Sequence, residues 1–161
     1  MTTVYSYTYN PDGSYRLTST VNNVSDTDGN NSSVTTVQNY DWLGNLVSAT
    51  DPNGNTFSYQ YDGLGRLVKQ INPDGTYQTA SYNIADNSVT VTDENGNITT
   101  QDYTPFGYLD KIYLDNNQNN IAAQYTYDNH GRKTSETAYQ SIGGKKVTEN
   151  YTYDQFDRVV S

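Results

Sequence analysis

The chain has 161 residues, a formal net charge of −9, no cysteine and only 33% hydrophobic residues, and 17 of its residues are tyrosine. That length predicts one domain, and the acidity sets the chain against phosphate backbones, so nucleic acid is not an expected partner. No run of roughly 18 apolar residues is present to cross a membrane as a helix, and Met1-Thr2-Thr3-Val4-Tyr5 lacks the charged start and apolar stretch of a signal peptide.

Residues 1–21 read as an opening hairpin: Tyr5, Tyr7 and Tyr9 alternate, Pro11-Asp12-Gly13 turns the chain, and Tyr15 and Leu17 follow. Residues 22–33 are a polar insertion without an apolar pattern. A repeat then takes over. Tyrosines stand at 40, 61, 82 and 103, each 21 residues after the last, and Tyr127 and Tyr153 follow at steps of 24 and 26. Four residues after the tyrosine come Gly44, Gly65, Gly107 and Gly131. Two further on come Leu46, Leu67 and Leu109, with Lys133 and Val159 in the weaker copies. A second turn opens each new unit at Asn53-Gly54, Asp74-Gly75 and Asn95-Gly96. A fixed period of this kind marks a repeat architecture.

Two turns per repeat imply two strands per repeat. Asp-Gly and Asn-Gly between alternating segments predict tight type I′ hairpins, in which both central residues take positive φ. In the clearest copy the strands are expected over 56–62 and 66–72, with Gly63 and Gly65 reversing the chain. Residues 84–103 are degenerate but still read as a strand pair. Residues 116–120 and 141–146 are longer hairpin connections, and the last unit stops in mid-repeat after Val159 and Val160. The fold class is therefore all-β: an antiparallel hairpin meander of about 12 to 14 short strands in a curved or spiralling sheet. Residues 1–161 form a single array, with a divergent start over 1–33, repeats over 34–161 and an incomplete last unit. Such a sheet buries tyrosine rings while leaving their hydroxyls wet, and it needs curvature, a second sheet or a partner to cover its apolar face.

These residues resemble the YD repeats of the Rhs family, whose pattern is Tyr-Asp, two variable residues, then Gly-Arg-Leu. Tyr61, Asp62, Gly65, Arg66 and Leu67 match throughout. Tyr127, Asp128, Gly131 and Arg132 match, with Lys133 for the leucine. Tyr40, Asp41, Gly44 and Leu46 match, with Asn45 for the arginine. Tyr153, Asp154 and Arg158 match, with Asp157 at the glycine position. Tyr103 keeps Gly107 and Leu109 but has Thr104 and Tyr108, and the Tyr82 copy keeps little beyond its tyrosine. The resemblance implies a non-catalytic structural module. It would be a segment of the β-shell that encapsulates or presents a C-terminal toxin domain in a larger bacterial protein, secreted or at the cell surface. Its partners would then be further repeats or other domains of the parent chain, or a second copy through the sheet edges.

Catalysis has little to stand on. His130 is the only histidine and lies in a turn, and no cysteine nucleophile, zinc spacing or phosphate-binding glycine loop is present. Asp26, Asp28 and Asn30 have the alternate-oxygen spacing that opens a calcium loop, but not the distant glutamate that completes one. Asp51 to Asn55 and Asp93 to Asn97 share the look; turn chemistry is the preferred reading of all three, with no cofactor expected, and calcium at Asp26, Asp28 and Asn30 is the alternative. Asp62 with Arg66, and Asp128 with Arg132, read as ion pairs bracing a turn. The alternative function is a carbohydrate-binding or adhesive surface of a cell-wall-associated protein, with tyrosine faces stacking on sugar rings.

Overall fold

The computed structural model describes residues 2–25, 31–139 and 145–160. These residues contain thirteen strands and no helix. They are β1 (Thr2–Tyr9), β2 (Tyr15–Ser25), β3 (Asn31–Tyr40), β4 (Leu46–Thr50), β5 (Thr56–Tyr61), β6 (Leu67–Ile71), β7 (Tyr77–Asn83), β8 (Ser88–Thr92), β9 (Ile98–Tyr103), β10 (Leu109–Leu114), β11 (Ile121–Tyr127), β12 (Lys133–Tyr139) and β13 (Lys146–Asn150). They form one antiparallel sheet in which the strand order is the chain order. The all-β meander expected from the paired turns is what the structure shows. Two compact units follow one another, residues 1–79 and 80–161.

One turn geometry recurs through both units. In the Asp62 turn the Asp62 N–H donates to Arg66 O at 2.9 Å and the Gly65 N–H donates to Asp62 O at 3.0 Å. The same two bonds close the turns that begin at Asn10, Asp41, Asp51, Asn72, Asp93, Thr104, Asp128 and Asp154. Only the fourth residue of each turn has positive φ, between 76° and 87° at the glycines and 60° at Asp157. With no positive φ at the second or third residue, the turn is type I followed by a left-handed residue, a three-residue hairpin loop with a G1 bulge. The expectation of type I′ turns is thus corrected. Gly63 has no positive φ and is not what reverses the chain. In the aspartate-led turns the first side chain accepts the N–H of the third and fifth residues, which holds the right-handed turn.

The tyrosine-led hairpins carry one further irregularity. Tyr61 faces Leu67 while Gln60 faces Lys69, so Val68 is an extra residue on β6. The same shift occurs beside Tyr40, Tyr103 and Tyr127. The β4–β5, β6–β7 and β8–β9 pairings run without a shift. Side chains alternate with period two, so a bulge on one side only is what accommodates a repeat of odd length. Residues 22–25 and 31–33, read as polar insertion, extend the β2–β3 hairpin, with Val21 opposite Val34 and Ser25 opposite Asn31.

The sheet has almost no interior. Among the described residues only Tyr113 and Thr137 are buried, at 7% and 8% exposure. Cohesion comes instead from the ladder and from cross-strand pairs. Thr20–Thr35, Thr50–Thr56, Thr90–Thr100 and Thr137–Thr148 face one another in register with their hydroxyls bonded at 2.9–3.1 Å. Such pairs contribute roughly 0.2–1 kcal/mol each.

Candidate functional site

The repeat tyrosine is a joint between hairpins. Tyr61 Oη donates to Leu46 O at 2.9 Å, Tyr127 Oη to Leu109 O at 2.8 Å, and Tyr153 Oη to Lys133 O at 2.6 Å. In every case the acceptor is the backbone of the leucine-position residue one repeat earlier. Each hydroxyl is partly buried, and burial raises the pKa of Tyr61 and Tyr127 above that of a free phenol. Because the acceptor is a carbonyl, Lys133 serves as well as leucine. Its ammonium turns instead to Glu136 at 2.6 Å and lies 4.9 Å from the Tyr151 ring. Tyr40 and Tyr103 bond the glutamine two residues earlier, Gln38 and Gln101. Tyr82 lies in β7.

The aspartate after the tyrosine caps its turn. Asp62 Oδ1 accepts the N–H of Leu64 and of Arg66, and Oδ2 accepts Arg66 Nε at 2.7 Å. Asp128 treats His130 and Arg132 in the same way, and Asp154 treats Phe156 and Arg158. In the Asp41 turn, Asn45 Nδ2 replaces the arginine on Oδ2 at 2.9 Å. Asp51 with Asn55 and Asp93 with Asn97 repeat that arrangement in the turns without a tyrosine. Asn10 and Asn72 use a third version. There the aspartate sits two residues later, at Asp12 and Asp74, and takes the N–H and hydroxyl of Ser14 and Thr76.

These bonds hold the turn carboxylates below the ordinary range. The cause at Asp62 is first the Arg66 side chain, and at Asp41 the Asn45 side chain. At Asp128 the first cause is the Arg132 backbone N–H, and its pKa falls from 3.8 to about 2. Asp51 and Asp93, which looked like parts of calcium loops, are occupied by their own turns. No group of three potential metal ligands occurs among the described residues. Asp26, Asp28 and Asn30 lie outside the described residues.

The fifth turn residue also reaches the next tyrosine-led hairpin. Arg132 lies over the Tyr153 ring at 4.7 Å and pairs with Asp157 at 2.5 Å. Tyr108, in the arginine position of the Tyr103 copy, stacks on Tyr127 at 5.0 Å. A methyl group built on Gly131 would collide with the Tyr108 ring. Arginine-on-ring and ring-on-ring are two solutions to one contact. In the opening hairpins Tyr9, Tyr15 and Tyr40 are direct cross-strand neighbours, and Tyr15 and Tyr40 stack at 4.6 Å.

Sequence reasoning missed the tips. Tyrosine-led turns expose Trp42, Leu43, Leu64, Phe106 and Phe156, whereas the alternate turns expose Asn53, Asp74 and Asn95. His130 occupies one exposed tip and contributes its backbone N–H to Asp128.

A family model described as RHS Repeat matches residues 40–77. No curated protein matches the chain. A crystal structure of TcdB2-TccC3-TEV is similar over 89% of this chain, at 21% identity and a TM-score of 0.62. The structure of a Photorhabdus luminescens Tc holotoxin pore is similar over 89% of this chain at 16% identity, with a TM-score of 0.49. This chain spans 8% and 10% of those two chains. The likeness speaks for the fold alone, and it rests on the first of them. The matched residues 40–77 run from the Tyr40 turn to the first residue of β7, and the two backbone bonds that close their turns recur outside them at Asn10, Asp93, Thr104, Asp128 and Asp154.

Proposed function

We propose that the chain is a non-catalytic segment of an RHS-type β-shell, which encloses or presents another domain of a larger bacterial protein, secreted or at the cell surface. The observation that carries this reading is the tyrosine joint, made alike at Tyr61, Tyr127 and Tyr153. Its only requirement of the preceding repeat is a backbone carbonyl, so one hairpin pair docks on the last without end. The residues Tyr40, Asp41, Gly44, Leu46, Tyr61, Asp62, Gly65, Arg66 and Leu67, with their counterparts in later copies, are on this reading structural. The turn carboxylates accept backbone N–H groups and are engaged within their own loops, which supports a role other than acid–base chemistry. Further repeats of the parent chain pair with the outer edge of β1, which is exposed along its whole length.

The test is limited proteolysis of the full-length parent chain. With the array intact, a domain following the repeats survives protease. With Tyr61, Tyr127 and Tyr153 together changed to Ala, it is cleaved. Equal survival in the two proteins would show that the joints do not build an enclosure.

A further inference from the structure

The regular pattern breaks at the Tyr82 copy, and the structure has a polar cleft there. The cleft holds about 300 Å³ and lies wholly within residues 80–161. Its walls include Ser88 and Thr90 of β8, Thr100 and Asp102 of β9, and Tyr113 of β10. The register makes these one face: Ser88 is opposite Asp102, Thr90 opposite Thr100, and Thr100 opposite Tyr113. Asp86, from the β7–β8 turn, adds a second carboxylate at the rim.

Thr90 and Thr100 hold one another at 3.0 Å, and Tyr113 is the one buried aromatic among the described residues. Burial first, and the Asp102 charge second, raise the Tyr113 hydroxyl above its ordinary pKa, and the two side chains are hydrogen-bonded to one another. Three of the four described non-glycine residues with positive φ, Asn87, Asp115 and Asn116, lie in the two connections beside this face. Asn and Asp tolerate this conformation in tight turns.

We propose that this cleft binds a saccharide ring, neutral or bearing an amine. Hydroxyls and carboxylates at this density offer both donors and acceptors to a polyol, and the volume is at the small end for a ligand site, enough for about one sugar unit. The lining contains two carboxylates and no lysine or arginine, so uronates and phosphorylated sugars are repelled. The stacked tyrosines of β1 to β3 are a poorer place for a sugar, because Tyr15 and Tyr40 already spend their faces on one another. This site does not depend on the shell reading.

The experiment is a nitrogen-15 correlation titration of the 161-residue chain with N-acetylglucosamine, glucosamine, glucuronic acid and calcium chloride, each separately. At least one of the first two is expected to move the amides of Ser88, Thr90, Thr100, Asp102 and Tyr113 in fast exchange, with a dissociation constant of order ~1 mM. Asp102→Asn is expected to weaken it about tenfold or more, and Thr20→Val, at a hydroxyl pair outside the cleft lining, to leave it unchanged. The spectra report whether each variant is folded, and Thr100→Val replaces Asp102→Asn if the latter is not. The proposal is overturned if neither amino sugar moves these amides, if glucuronic acid moves them equally, if calcium alone does so, or if a folded cleft variant binds unweakened.

Discussion

Tyr127 places a half-buried hydroxyl 2.8 Å from the Leu109 carbonyl, and the phenylalanine ring would fill the same space without that bond. Tyr127→Phe leaves the carbonyl without its donor and is expected to lower stability by ~1 kcal/mol. Tyr5→Phe, at a residue 63% exposed, is expected to change it by less than ~0.5 kcal/mol. Urea titrations of the two variants decide the matter, and equal losses would mean that the hydroxyl is not the joint. Glycines separate in the same way. Gly131 has φ +79° and faces the Tyr108 ring, whereas Gly63 has no positive φ and open space around it. Gly131→Ala is expected to lose ~1–3 kcal/mol and Gly63→Ala to lose nothing or gain slightly. Thermal melts in which Gly63→Ala is the worse of the two would misplace the left-handed residue. Asp157 shows what the position tolerates. It takes φ 60° without being glycine and forms the ion pair with Arg132.

At the scale of the hairpin, most of the plan could be read from the residues. The 21-residue period gave two strands per unit, and β5 and β6 fall within a residue of the expected bounds. The turn type could not be read, because Asn53-Gly54 and Asp74-Gly75 look like two-residue turns until the capping carboxylate of Asp51 or the Asn72–Thr76 bond is counted. Nor was Asn45 recognisable as a working substitute for arginine, since what matters is one N–H on Asp41 Oδ2 and not the charge. Tyr108 looked like a lost motif residue and is instead a stacked replacement. That equivalence is testable. Tyr108→Arg places over Tyr127 the arginine that the Tyr61 and Tyr127 copies carry, and is expected to stay within ~1 kcal/mol of the parent. Tyr108→Ala removes the contact and is expected to fall further. If Tyr108→Arg unfolds at the lower denaturant concentration, ring and guanidinium are not interchangeable here. The cleft at β8 to β10 was invisible because its residues come from separate strands in the copy with least sequence regularity.

Across the whole molecule, eight turn aspartates, Asp12, Asp41, Asp51, Asp62, Asp74, Asp93, Asp128 and Asp154, have lowered pKa values. A depressed folded-state pKa adds stability that is complete above the unfolded value and disappears as pH falls through the folded one. The urea midpoint is therefore expected to be level above about pH 5 and to fall steadily toward pH 2. Because the leading causes are hydrogen bonds, added salt should leave most of that slope in place. A flat acid limb would contradict the capping account. The open edge makes a second demand. All of β1 is exposed and no charged side chain stands between Met1 and Asp12, so only the net charge of −9 opposes pairing with another strand. The isolated chain is expected to associate as salt shortens the Debye length to ~8 Å, and light scattering that reports a monomer at every salt concentration would refute this. The tyrosine joint reaches further than one molecule's stability. Leu46, Leu109 and Lys133 all satisfy it with a main-chain oxygen, which no codon can remove. Recombination that duplicates or deletes a stretch between two such tyrosines rejoins the chain at an equivalent seam, so array length is free to drift between lineages while the seam chemistry stays the same.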